Sequence, residues 1–458
     1  MSNVPDTLDI EGVITTKHVL HVDQHWFEAR SVDPKCDICC PTAQMPVKNG
    51  TRPISLLDMA RNGQPAMIYF SRQIWRCTEC RKKITEILAF ACLQHRMTER
   101  QAKYIYEEAI VRAFSEIADK AGIDEKTVAS VFRSRAVAEI SARGVETPRV
   151  LGLDEKYLFG SMRAVVGNIE KKTMYWMLEG RDSASLLNFF ESIKDPHKVE
   201  VVTVDMHRPY HKVIKKCFPK ATIVIDKFHI LKSASDCLES YRLGLSKEVL
   251  KQERAELLEG RKTLIARKRN WSEIDHARYN KWLVYYPGLA EAYDLKEELY
   301  AIFEQNITKH TAIRKYINWR ESLTYTQKAV FRPFVKSVQS LSGPILNYFD
   351  NRYTNGYVEA LNKMIGLSAL TVSGGSFETL FYKVMLRYGV PKPPTKKINR
   401  RRPIEDDLVM GFLSFDYIND CDYVKTEKMS YKTVTAPISY GVPLVVLEKL
   451  INEPDFGV

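Results

Sequence analysis

The chain has 458 residues, enough for roughly three domains with a core each. With 45% apolar and 27% charged residues, its composition excludes a wholly disordered protein. Lysine and arginine exceed aspartate and glutamate by 12, and the pI is near 9.1. That balance favours a polyanionic partner, because each cation placed on a phosphate releases a condensed counterion. The excess is uneven. Residues 403–458 carry ten acidic and four basic side chains, a net of −6, so residues 1–402 carry +18. No run approaches the ~18 consecutive apolar residues of a membrane span, and Met1 to Gly12 lack the basic and apolar regions of a secretory signal. A cytoplasmic, nucleoid-associated protein is expected.

Residues 1–90 hold two cysteine pairs among short extended segments. Cys36-Asp37-Ile38-Cys39 and Cys77-Thr78-Glu79-Cys80 are both C-x-x-C. Four thiolates suffice for one closed tetrahedral zinc site with no open position, as in a zinc-ribbon-like module. The 38 positions from Cys39 to Cys77 demand a long intervening loop, since compact ribbons separate their knuckles by about 15–20. Cys40 could replace Cys39, and a redox pair or coincidence is the plainer alternative. Cys92, Cys217, Cys237 and Cys421 read as small apolar residues.

Residues 91–145 read as helical. Within them, 115–133 have the pattern helix, tight turn, helix, with Ile117, Ala121, Ile123, Val128 and Val131 as the shared core. Gly122 permits a left-handed turn and Asp124 can cap the second helix. That helix would offer Lys126, Thr127, Ser130 and Arg133 to a DNA major groove. A plain helical hairpin is the alternative.

Residues 148–390 alternate strands and helices. Val150 to Asp154 is an apolar run ending on a carboxylate. Arg163 to Ile169 and Thr173 to Leu178 flank a turn at 170–172 and predict a hairpin. A helix capped by Ser183 should follow. Val199 to Val204 is a strand run ending at Asp205, and Ala221 to Ile225 another ending at Asp226. Three strands, a helix, a strand, a helix and a strand is the order of an RNase H-like mixed sheet. Asp154 and Asp205 on neighbouring strand ends would repel one another, so keeping both ionised calls for a divalent cation between them. Capping is the commoner role for a lone strand-end aspartate. Residues from about 230 to 345 are rich in helix formers and predict a helical insertion. Then Asn355-Gly356 marks a turn, which puts Glu359 in the first turn of a helix and Asn362 one turn later on the same face. From 391 a proline-rich basic linker leads to the acidic extension, through 458. The fold class expected is multidomain α/β.

These segments together resemble the insertion-sequence transposases of the ISL-three family. The matching strings are Gly152 to Glu155, Val204-Asp205-Met206 with Tyr210, Asp226-Lys227-Phe228-His229, Asn355-Gly356 through Glu359 and Asn362, and Gly374 to Glu378. The Cys36 to Cys80 finger is similar too. The resemblance covers about residues 30–388. It implies an RNase H-like catalytic domain in which Asp154, Asp205 and Glu359 hold two Mg²⁺ (or Mn²⁺) ions for cleavage and joining of DNA ends. It also implies that terminal inverted repeats and target DNA are the partners, and that a homodimer or larger assembly pairs the two ends. Where members of the family continue with lysines after this glutamate helix begins, Met364 to Ala369 has none. Asp226 and His229 could support the metal ligands from behind or contact the DNA, with capping and core filling as the alternative, and they are left outside the catalytic set. Two rival functions remain: a non-catalytic zinc and helix-turn-helix regulator, and a nuclease that cuts without joining.

Overall fold

The computed structural model describes residues 8–37, 39–40, 46–144 and 146–391. The linker and acidic extension expected beyond 391 lie outside the described residues, as does Cys421.

The N-terminal region is a mixed sheet of seven strands. They are β1 (Val13–His21), β2 (Gln24–Ser31), β3 (Val47–Arg61), β4 (Gln64–Arg76), β5 (Lys83–Thr85), β6 (Ala91–Cys92) and β7 (Met97–Thr98). β3 and β4, at 15 and 13 residues, form a long antiparallel hairpin, so the expected short extended segments are too modest a description. Alternation explains its one-sided core: Phe27 and Ala29 on β2 meet Ile68 and Phe70 on β4, with Leu56 on β3. Buried Asp58 accepts hydrogen bonds from Thr98 Oγ1 (2.7 Å) and Arg100 Nε (2.7 Å), which fastens the sheet to the next element.

Three helices follow, α1 (Glu99–Ala109), α2 (Phe114–Ala121) and α3 (Glu125–Arg143). Gly122 ends α2 at φ +65°, and Asp124 caps α3 by accepting from Thr127 N at 2.8 Å. Ile105, Ala109, Phe114, Ile117, Val128, Val131 and Phe132 form their common core.

The second sheet has five strands in the order β10-β9-β8-β11-β12. β8 (Val150–Leu158), β9 (Ser161–Asn168) and β10 (Thr173–Leu178) run antiparallel; β11 (Val201–Val204) and β12 (Thr222–Ile225) are parallel to β8. Helices α4 (Ser183–Glu191) and α5 (Arg208–Cys217) make the crossovers. Asp182, rather than Ser183, caps α4, accepting from Ser185 N at 2.9 Å; an aspartate one position earlier offers the backbone a charged acceptor.

A period of two sorts the sheet's side chains. Leu151, Leu153, Val202, Val204 and Ile223 turn towards α4 and α5. The alternate positions face helices from later in the chain. Between β12 and the last helices stand α6 (Lys227–Glu248), α7 (Lys251–Glu259), α8 (Arg261–Ile265), α9 (Glu273–Tyr285), α10 (Pro287–Glu304), α11 (Lys309–Ser322), α12 (Tyr325–Ser340) and α13 (Ser342–Asn351). They share an apolar core with Val150, Val201, Val224 and Ile225 of the sheet. Asn347 on α13 donates to Ile223 O at 2.9 Å, which satisfies a backbone acceptor on the edge strand β12. Helices α14 (Gly356–Ala369) and α15 (Phe377–Tyr388) then cover the face opposite α4 and α5.

The closest approach in this packing is at Gly152. A Cβ there would lie 2.5 Å from Ile169 Cδ1, 2.6 Å from Asn355 Oδ1 and 2.6 Å from Val358 Cγ2. Only hydrogen fits. Gly152→Ala should therefore lower the thermal unfolding midpoint of the full chain, at a cost of about 1–3 kcal/mol of overpacking. Gly244→Ala within α6, where an added Cβ meets nothing within 4 Å, should raise it slightly by removing backbone freedom from the unfolded chain.

Candidate functional site

Three neighbouring strands carry an aspartate just past the end of their parallel pairing; β8, expected to end at Asp154, runs on to Leu158 against β9. Asp154 belongs to β8, Asp205 directly follows β11, and Asp226 directly follows β12. Gly152 is opposite Thr203 and Val204 opposite Ile225, so the three carboxylates form a row across the ends of the parallel strands. Each has the parity of residues on the α14 side: Asp154 with Gly152, Asp205 with Thr203, Asp226 with Val224. This is the edge of an open α/β sheet where ligands gather.

α14 is locked onto that edge by its N-terminal residue. Buried Asn355 donates from Nδ2 to Leu153 O (2.7 Å) and accepts at Oδ1 from Thr203 Oγ1 (2.9 Å). The amide takes up backbone and hydroxyl groups left where the β8–β11 ladder stops. Its carbonyl accepts from Glu359 N at 3.0 Å, starting the helix. One turn on, Asn362 Nδ2 donates to Asp154 Oδ2 at 2.8 Å and to Glu155 O at 3.3 Å. The same helix face therefore presents Glu359 and orients Asp154.

Further bonds fix the surroundings. Asp154 Oδ1 accepts from Glu155 N and Asp205 Oδ1 from His207 N, both at 2.8 Å. His211 Nε2 lies 3.1 Å from Asp205 O. The Glu155 carboxylate accepts from Tyr210 Oη and from the Arg181 guanidinium. Burial and the Glu155 carboxylate push the Tyr210 hydroxyl up, so it remains a donor. Half-buried Lys156 reaches α14, its Nζ 3.5 Å from where a Gly366 Cβ would stand. A cation from the adjoining strand thus sits beside the stretch of α14 that lacks lysines.

The electrostatics tie the groups together. Burial raises the Asp154 carboxyl; the N–H of Glu155 and His229 oppose this, and Glu359 and Asp205 add to it. Burial likewise pushes Asp226 up to about 6; the Phe228 N–H and His229 oppose, and Glu359 reinforces. Asp154, Asp205 and Glu359 thus share one electrostatic environment, together with Asp226 and His229. Among the described residues, however, the carboxylate group with all potential ligand atoms within 4.8 Å of one another is Asp226, His229 and Glu359. Asp154 and Asp205 flank it. Asp226 Oδ2, His229 Nε2 and Asn362 Oδ1 are buried without a hydrogen-bond partner, which suits acceptors arranged for a cation. The sequence carried a signal for the pair left outside the catalytic set: a third aspartate in the same row, and a histidine three residues on, one helical turn away.

The second cluster lies in the N-terminal sheet. Cys39, Cys40, Cys77 and Cys80 bring their sulfurs within 4.8 Å of one another, with Cys39 Sγ 3.3 Å from Cys80 Sγ. This is a donor set compatible with zinc. Cys77 and Cys80 occupy the turn joining β4 to β5, where Arg76 pairs with Lys83 and Arg81 takes φ +60°. The N–H of Cys80 pulls the Cys77 thiol down to about 7, with the Cys39 thiol next, while the neighbouring thiols push Cys39 up. Cys36, expected among the ligands, stands outside this group and Cys40 takes its place. Three cysteines compete for two places in that loop, and spacing by itself does not distinguish a 36/39 knuckle from a 39/40 pair.

On α3, Lys126 and Ser130 are exposed. Thr127 Oγ1 instead donates to Asp124 at 2.7 Å, and Arg133 pairs with Glu378 of α15 at 2.7 Å.

An elevated Asp226 pKa is a cost to the folded state. The folded protein holds this proton to about pH 6, whereas the unfolded chain releases it near pH 4. Stability is lost as pH rises between those values and the loss persists above them. With no magnesium or manganese added, Asp226→Asn should unfold at a higher temperature than the wild type at pH 7, by up to about 3 kcal/mol in stability. The advantage should vanish as the pH is lowered to about 4. Melting curves across that range check this.

A family model for DDE transposases of the ISL-three type, described as transposase, matches residues 151–379, half of the chain, from β8 to the start of α15. The transposase for insertion sequence element IS1001 of Bordetella parapertussis is 24% identical over 307 residues, spanning 64% of this chain and 74% of that protein. That stretch of family likeness contains all the acidic strand ends and the helix that faces them, and the chain belongs to the ISL-three family of transposases.

Proposed function

We propose that this protein binds the ends of its own insertion element and catalyses divalent-cation-dependent cleavage of DNA and joining of the freed ends to a target. The observation that carries the reading is the convergence of Asp154, Asp205 and Glu359 on one sheet edge, from positions 51 and then 154 residues apart in the chain. The strand order, three antiparallel strands and then two parallel ones on the far side of the first, supports an RNase H-like domain over 148–390 with the helical insertion inside it.

Cations held by these acids would activate an attacking oxygen and stabilise the leaving oxygen of an in-line phosphoryl transfer. The side chains have little covalent chemistry to perform. Asp154, kept in orientation by Asn362 and the Glu155 N–H, Asp205, kept by the His207 N–H, and Glu359 serve to place the charge. Water is the attacking group in cleavage and a DNA 3′-hydroxyl in joining. The unpartnered buried acceptors nearby support a site built for cations.

The N-terminal region (1–90) would be the zinc-stabilised head and 91–145 the helix-turn-helix contact with the terminal repeats, through Lys126 and Ser130 first. Thr127 and Arg133 would join only by leaving Asp124 and Glu378. Paired ends imply a homodimer or larger assembly on the DNA.

With Mg²⁺ or Mn²⁺ and DNA carrying the element's terminal repeats, Glu359→Gln should cut at least about a hundredfold more slowly while binding the ends as the wild type does. Normal cutting by that variant rules out the triad. Supplying pre-cleaved ends with free 3′-hydroxyls separates a transposase, which integrates them, from a nuclease. Replacing Cys77 or Cys80 with serine should release about one zinc per chain and weaken end binding, whereas Cys36→Ser should retain the metal; atomic absorption reads both.

A further inference from the structure

Asp226 is fully buried, yet its Oδ2 has no hydrogen-bond partner. As the N-terminal cap of α6 it accepts at Oδ1 in a long 3.4 Å contact from Phe228 N, and the Asn355 N–H also favours its charged form. Capping alone neither requires burial of the whole carboxylate nor leaves an oxygen unused. His229 repeats the anomaly, its Nε2 buried without a partner. The ligand atoms of both lie within 4.8 Å of each other and of the Glu359 carboxylate. A cation bonded at about 2.0–2.2 Å to each holds such atoms at most about 4.4 Å apart. A small side-chain rotation closes the set.

We infer that Asp226 and His229 are direct ligands of a cation that Glu359 shares, forming a mixed nitrogen–oxygen site contiguous with Asp154 and Asp205. The inference deepens the strand-transfer reading of this edge and rests on it for what the cation does, though not for whether it binds. An aspartate and a histidine at i and i+3 place both donors over the first turn of α6, whose N-terminus faces the carboxylates. Beside the all-carboxylate pair of Asp154 and Asp205, an imidazole makes this the softer half of the centre. Oxygen-only sites suit magnesium, whereas an imidazole raises the affinity for transition ions relative to magnesium, and Mn²⁺ is the spectroscopic probe that both kinds of ligand accept. The two halves are expected to differ in the ion they prefer.

Pulsed electron paramagnetic resonance of Mn²⁺ added to the full-length, zinc-loaded chain tests this directly. The wild type should show nuclear modulation from one directly bonded imidazole nitrogen. His229→Gln should abolish that modulation, and Asp226→Asn should weaken Mn²⁺ binding at least about tenfold at one site. Far-UV circular dichroism melting verifies that both variants are folded. Absence of nitrogen modulation in the wild type overturns the inference, as does its persistence in His229→Gln. So does unchanged Mn²⁺ affinity in Asp226→Asn. The two readings fail separately. Normal cleavage by Glu359→Gln sinks the strand-transfer reading even if the nitrogen signal is lost with His229, and the cation site then stands alone.

Discussion

The contact of α14 with β8 at Gly152 is the constraint on which the site depends. Glycine lets the helix descend until Asn355 reaches the Leu153 carbonyl and the Thr203 hydroxyl, and Val358 fills the remaining space. That seating sets the height and rotation of the helix, so Glu359 and Asn362 arrive over the strand-end aspartates instead of beside them. A Cβ at 152 would lift the helix and separate the acids. Asn355 supplies specificity that apolar packing lacks, because both ends of its amide are used and the group is wholly buried.

Such a site has an unfavourable side. Carboxylates of one sign are drawn into a region of reduced solvation, and the upward displacement of Asp154 and Asp226 expresses that cost. The rest of the domain offsets it. Strands β11 and β12 and the first half of β8 are almost wholly apolar, α4 and α5 close one face, and α14 and α15 close part of the other. The helical insertion extends the core over the remaining face and edge, with Val224 and Ile225 beneath it. Charge crowding at a sheet edge is tolerated where the layers behind it are this completely packed.

The insertion also explains how a glutamate 133 positions after Asp226 reaches it. A structureless loop of that length would hold Glu359 poorly. Here α6 leaves the end of β12, and α13 returns to the same strand, where Asn347 binds the Ile223 carbonyl. Departure and return share one strand, so the long excursion closes where it began. Lys383 adds a second tie: from α15 it donates to Arg112 O and Thr371 O, linking the α1–α2 connection to the segment after α14. The α1–α3 helices are thereby fastened to the layer that carries Glu359.

Much of this was legible in the residues. Strand runs that end on carboxylates, the hairpin around residues 170–172, the glycine turn at 122 and the helix after Asn355-Gly356 are local patterns, and period and turn chemistry specify them over a few residues. So is the family likeness, which rides on short strings. Other features were not legible, because they depend on which residues meet after folding. The C-x-x-C spacing pointed to Cys36 with Cys39, and Cys40 stood only as a substitute for Cys39; the placement of the loop against the β4–β5 turn instead brings Cys39 and Cys40 to Cys77 and Cys80. Asp226 was left outside the catalytic set because a strand-end aspartate before a helix can equally be its cap. That its Oδ2 is buried without a partner, with His229 and Glu359 at hand, arises from helices remote in sequence. Local backbone preference is encoded within a turn or two of chain. The company a side chain keeps is decided by long-range packing.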